Sequence, residues 1–129
     1  MTIRLRDGLP YVTASLLYDG RGISMENVVL DSGSTGTVFA ADKALSLGLR
    51  YEVQDGVHPV RGVGGGVEFI FTKRVESLSV GELRADGFDI EVGAMDYGFE
   101  IDGILGMDFL IRVGAIVDLA RLEMRSSTP

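Results

Sequence analysis

Val28-Val29-Leu30-Asp31-Ser32-Gly33-Ser34-Thr35 is the stretch on which the reading of this chain turns. Apolar, β-branched residues run up to a carboxylate, and the carboxylate leads straight into a turn of small hydroxyl-bearing residues. Gly33 lets the backbone turn tightly and pass close to the Asp31 carboxylate. The hydroxyls of Ser32 and Ser34, with nearby N–H groups, can hydrogen-bond that carboxylate and fix its orientation. An Asx or Ser turn between two strands would look the same over so few residues, so the rest of the chain has to decide.

The 129 residues are 46% hydrophobic and 24% charged, which fits one domain with a core large enough to fold unaided. We place that domain over residues 1–125 and read 126–129, Ser-Ser-Thr-Pro, as a frayed end. With no cysteine, a disulfide scaffold, a thiol nucleophile and a cysteine-based metal site are all excluded. One histidine, His58, is too few for a His-based metal centre within the chain. The formal charge of −7, without a basic cluster, argues against nucleic acid as a partner. No apolar run reaches the roughly 18 residues of a membrane span, and the N-terminus has no signal-type apolar core. The expected location is the cytoplasm.

Glycine is the compositional outlier, at 18 residues about twice the usual share. Period-two alternation recurs around it. Ile3 and Leu5, then Val12, Ala14 and Leu16, then Val67, Phe69 and Phe71, then Phe88, Ile90 and Val92, then Leu122 and Met124 each read as one face of a half-buried strand. Asp-Gly pairs at Asp7, Asp19, Asp55, Asp86 and Asp102 read as turns between strands of five to eight residues. Ala40 through Leu47 reads as a short helix closed by Gly48, and Met107 through Arg112 as one or two helical turns. The expectation is an all-β domain with one or two short helices.

Two further elements stand in order behind Asp31. Val63-Gly64-Gly65-Gly66 is glycine-rich between strand-like runs, and Ile101-Asp102-Gly103-Ile104-Leu105-Gly106 follows some 70 residues after Asp31. Taken together, the chain resembles the retropepsin-like single-lobe aspartic proteases of the pepsin-like superfamily. The resemblance spans nearly the whole chain, and its specific residues are Asp31, Ser32, Gly33 and Ser34 with Ile104, Leu105 and Gly106. It implies a single-lobe acid-protease fold resembling a β-barrel. Asp31 would be the catalytic carboxylate, with Ser32, Gly33 and Ser34 completing its loop. Ile104, Leu105 and Gly106 would support that loop from beneath, and Val63, Gly64, Gly65 and Gly66 would tip a flap over substrate. The chain departs from the pattern after Gly106, with Met107-Asp108 where retroviral members usually carry Arg-Asn.

Aspartic-protease chemistry requires two carboxylates sharing one proton, and this chain holds a single Asp-Ser-Gly-Ser site. The resemblance therefore implies a homodimeric endopeptidase acting on a peptide or protein substrate, with no metal or organic cofactor. The segments Ile116-Val117-Asp118-Leu119 and Arg121 through Arg125 read equally as interface strands or as a hairpin within the lobe. The alternative is a catalytically inactive lobe serving dimerisation or peptide binding. Competing motifs fail. Gly33-Ser34-Thr35-Gly36 lacks the first glycine of a hydrolase elbow, and a strand pattern follows Gly62 to Gly66 where a dinucleotide site needs a helix. Asp102 reads as an Asp-Gly turn or a buried structural carboxylate.

Overall fold

The structure, a computed structural model, describes residues 1–61, 67–95 and 100–127. Along them run β1 (Arg4–Arg6), β2 (Leu9–Tyr18), β3 (Arg21–Leu30), β4 (Val38–Ala40) and α1 (Ala41–Leu45). Then come β5 (Val57–Arg61), β6 (Val67–Val80), β7 (Leu83–Gly93), β8 (Gly103–Leu105), α2 (Met107–Val113), β9 (Ala115–Asp118) and β10 (Glu123–Ser126). Eight strands form one sheet in the order β1-β2-β3-β8-β4-β7-β6-β5, and a second contact between β2 and β6 closes the inner six into a barrel. Strands β9 and β10 make a separate antiparallel hairpin. The all-β architecture with two short helices is the one expected.

Turn chemistry explains the hairpins. Asp7 and Gly8 stand at φ +53° and +79°, and Asp19 and Gly20 at +50° and +76°, so both central residues of each turn are left-handed. That is the two-residue turn whose twist matches the strands it joins. Gly48, at φ +84°, closes α1: its N–H donates to the Leu45 carbonyl, and the Leu49 N–H reaches back to Ala44. The barrel interior is filled by fully buried Phe39, Phe109, Leu16, Leu78, Ile90 and Leu105. Phe109 of α2 meets Phe88 of β7 edge-on at 5.9 Å, which plugs the helix into the barrel.

Several strand readings need correction. Asp86-Gly87 is no turn: it lies inside β7, with Gly87 at φ +57°, and the hairpin closes at Gly81-Glu82 instead. At that point the buried face changes, from Leu83 and Ala85 to Phe88, Ile90 and Val92. A stave that bends from one layer of the barrel into the next must swap its inward face, which is why β6 and β7 run 14 and 11 residues rather than five to eight. Asp102-Gly103 is likewise the entry into β8 rather than a turn. Leu5 is 59% exposed because β1 is an edge strand outside the closed barrel, while Ile3 is buried. Leu122 sits in the turn before β10 at φ +53°. Ser126, read as the start of the tail, pairs with Ala115, and the Ser127 N–H donates to the Gly114 carbonyl.

One lysine points into this fold without an apolar partner for its charge. Lys73 on β6 is 6% exposed, and its ammonium meets Glu52 Oε1 at 2.7 Å and Asp55 Oδ2 at 2.9 Å. Burial pushes the Lys73 pKa down, but the hydrogen bonds and charges of the two carboxylates outweigh it and leave it raised. Glu52 is lowered by its bond from Lys73. Asp55 loses to burial but gains more from Lys73 and the Glu52 N–H, and is lowered too. Lowered carboxylates stabilise above their ordinary values of 4.5 and 3.8 and lose that contribution as pH falls through the folded values. Raised Lys73 contributes below 10.5 and is lost as pH rises beyond it. The cluster therefore holds the 50–56 loop on β6 across the neutral range. Lys73→Met should flatten the acid limb: its melting temperature should drop less between pH 7 and pH 3 than that of wild type. Parallel curves would show that the cluster does not couple to folding.

Candidate active site

Asp31 sits at the mouth of β3, one residue beyond the strand, and is half-buried. Strand β8 runs parallel to β3 with Leu105 opposite Leu30, and the Asp31 N–H donates to the Leu105 carbonyl at 3.0 Å. The chain then turns: the Ser34 N–H donates to the Asp31 carbonyl, and the Gly33 N–H to Asp31 Oδ1 at 2.9 Å. A Cβ at position 33 would stand 3.2 Å from that same carboxylate oxygen, so glycine leaves the oxygen room. One Asp31 oxygen is thus fixed by a backbone N–H, and among the described residues the other accepts no hydrogen bond.

The hydroxyls do not do what the residue pattern suggested. Ser34 Oγ donates to the Gly36 carbonyl at 2.7 Å, not to Asp31. The turn carries its own orphan carbonyl inward, and that acceptor takes the hydroxyl. Ser32 is exposed, and among the described residues its hydroxyl forms no hydrogen bond. Among the described residues the Asp31 carboxylate is thus oriented by one backbone N–H, that of Gly33.

Leu105 and Gly106 are buried and Ile104 is half-buried, alongside the loop rather than apart from it. The Met107 N–H donates to the Ser34 carbonyl at 2.8 Å and the Asp108 N–H to that of Thr35 at 3.3 Å. A Cβ at Gly106 would collide with the Gly36 carbonyl and stand 2.9 Å from the Ser34 carbonyl oxygen. A paired strand, a glycine-permitted close approach and a helix start therefore hold one carboxylate loop.

Residues 15–109 match the sequence model of the family described as aspartyl protease. The chain belongs to the aspartyl protease family. No curated protein matches it in sequence. Its fold is similar to that of a retropepsin-like aspartic protease from Rickettsia conorii, with TM-score 0.66 and 20% identity over 96% of this chain and 95% of that one. It is similar also to the retroviral protease-like domain of Ddi1 from Leishmania major, with TM-score 0.64 and 18% identity over 94% and 90%. The aspartyl protease lobe is thus retropepsin-like in its fold.

Val63, Gly64, Gly65 and Gly66, read as the tip of a flap, lie outside the described residues. The strands that flank them, β5 and β6, are antiparallel neighbours with Arg61 opposite Val67. Asp102 is buried at 4% exposure. Its Oδ2 accepts from the Asn27 N–H at 3.1 Å, and Lys43 stands 3.8 Å from Oδ1. It ties β8 to β3 and is a structural carboxylate. Sequence reasoning passed over Thr37 and Asp108 of this lobe, whose side chains meet at 2.7 Å behind the Asp31 loop. The one signal was the departure at Met107-Asp108. Among the described residues no helix is long and apolar enough to cross a membrane.

Proposed function

We propose that the chain is an aspartic endopeptidase that works as a homodimer, each copy supplying one Asp31. The observation that carries this reading is where Ser32 lies. Next to Asp31, it lines an apolar groove of about 390 Å³ shared with Met107, Leu110, Ile111, Ala115 and Val117. Ile111 is 71% exposed, and Ile116, Val117 and Leu119 of the β9 segment are exposed as well. Strand β9 pairs with β10 alone among the described residues, which leaves its other edge open. An apolar face with an unpaired strand edge beside a half-complete dyad fits a second copy of the same chain.

In that arrangement one carboxylate takes a proton from water as the water oxygen attacks the peptide carbonyl carbon. The other, protonated, gives its proton to the carbonyl oxygen, which forms a tetrahedral gem-diol. Collapse of that intermediate breaks the C–N bond as the amine nitrogen takes the proton that the first carboxylate received from water. A gem-diol hydroxyl returns its proton to the second carboxylate, so the products are a carboxylic acid and an amine and the dyad again holds one proton. The substrate is a peptide or protein segment, and no cofactor enters.

The test is activity against dilution with assembly followed by sedimentation. Turnover per chain should fall as the dimer dissociates. Mixing wild type with Asp31→Asn should depress activity further through heterodimers with an incomplete dyad. A monomer that remains fully active at nanomolar concentration overturns the homodimer. A dimer that binds peptides and never cleaves them points to the non-catalytic module instead.

A further inference from the structure

We infer that Asp108 is a positioning residue: the backbone behind Asp31 is built around a carboxylate at this position and rejects its amide. The inference rests on the reading of Asp31 as the catalytic group. Asp108 lies in the first turn of α2. Its Oδ1 accepts the Thr37 hydroxyl at 2.7 Å and the Phe109 N–H at 2.8 Å, and its Oδ2 accepts the Thr37 N–H at 3.2 Å. Thr37 is fully buried, and its Oγ1 accepts the Gly106 N–H at 3.0 Å. The Thr37 hydroxyl is thus committed as acceptor to Gly106 and as donor to Asp108. Two backbone N–H groups, of Thr37 and Phe109, point one at each Asp108 oxygen.

An amide has one acceptor oxygen and one donor nitrogen. With its nitrogen in place of Oδ2, an asparagine would face the Thr37 N–H donor to donor. With its nitrogen in place of Oδ1, it would face the Phe109 N–H in the same way. Neither orientation satisfies both backbone groups, whereas a carboxylate satisfies both and the hydroxyl as well. The retroviral Asn at this step could not replace Asp108 in this setting.

The consequence reaches Asp31 along the chain. The loop is anchored at its start by Asp31 on Leu105, in its middle by Ser34 on Met107 and Thr35 on the Asp108 N–H, and at its end by Thr37 on the Asp108 side chain. These anchors sit on one continuous segment, β8 into α2. Among the described residues, releasing the last one leaves the Thr37 backbone held through its carbonyl by the Glu91 N–H alone, and a shift at that end is passed along the loop to the turn that sets the Asp31 carboxylate. A displacement on the order of 1 Å costs as much as 100-fold in rate, because the dyad must be shaped for the transition state.

The experiment compares Asp108→Asn, Thr37→Val and Thr37→Ser with wild type, each assayed well below its melting temperature. It reads kcat, KM and the proton shift of the Gly33 amide, which donates to Asp31 Oδ1. Asp108→Asn should lose about 10- to 100-fold in kcat with KM changed less than about twofold, and should move the Gly33 resonance. Thr37→Val should do the same, and Thr37→Ser, which keeps the hydroxyl, should return both readouts towards wild type. A lower melting temperature with kcat and the Gly33 shift unchanged would overturn the inference and leave Asp108 an ordinary helix cap. If Asp108→Asn does not fold, the contrast between Thr37→Val and Thr37→Ser decides. If wild type cleaves nothing, the enzymatic reading fails by itself. The Gly33 shift then still judges Asp108: displaced in the variants it stands, unmoved it falls.

Discussion

Asp31→Asn should lower kcat by on the order of 1,000-fold or more while leaving the fold and the assembly intact. The amide fills the same volume, and its oxygen can still accept the Gly33 N–H that Asp31 Oδ1 accepts at 2.9 Å. What it cannot do is take a proton from water or share one with its counterpart. Melting temperature should therefore shift by no more than a degree or two, since Asp31 is half-buried and its backbone N–H, bonded to Leu105, is untouched. A hydroxyl-bearing mimic of the tetrahedral intermediate should bind wild type far more tightly than the variant. Turnover by purified Asp31→Asn at the wild-type rate would remove the carboxylate from the chemistry.

The second large effect lies beneath the loop, at Gly106. Its backbone is at φ −97° and ψ −176°, an extended conformation open to any residue, so conformation alone does not demand glycine there. Space does. A Cβ would run into the Gly36 carbonyl and crowd that of Ser34, and both belong to backbone held by other hydrogen bonds. Gly106→Val should destabilise the lobe by about 3 kcal/mol, the upper end of overpacking costs. It should also depress kcat in whatever protein still folds, because the displaced backbone is that of the Asp31 turn. Gly56→Val is the control: nothing lies within 4 Å of its Cβ position and its φ is not left-handed, so it should be close to neutral. Equal melting temperatures for the two variants would show that the loop yields to β8.

Much of this was legible in the residues because the physics involved is local. An Asp-Gly turn between alternating runs implies a two-residue hairpin, and Asp7-Gly8 and Asp19-Gly20 are such turns. The run into Asp31 and the run into Gly106 are short, apolar and strand-like by composition, and they became β3 and β8. Where the reading failed, at Asp86-Gly87 taken as a turn and at Leu5 taken as part of a buried face, the error came from treating each strand as short, flat and buried along one side. Barrel closure bends β7 and leaves β1 outside. Neither fact is written in any one segment.

By itself the sequence determined the kind of fold, the carboxylate at the end of a strand and the order of the elements that meet there. These follow from side-chain period, turn chemistry and a short motif, all acting over a few residues. Only the tertiary structure decided how that carboxylate is held. Ser34 gives its hydroxyl to Gly36 rather than to Asp31, Gly106 is set by a carbonyl 70 residues away in the chain, and Asp108 reaches Thr37 across a separation of 71. Such partners are chosen by which buried donors and acceptors remain unsatisfied once the barrel has closed, and that count exists only in the folded chain.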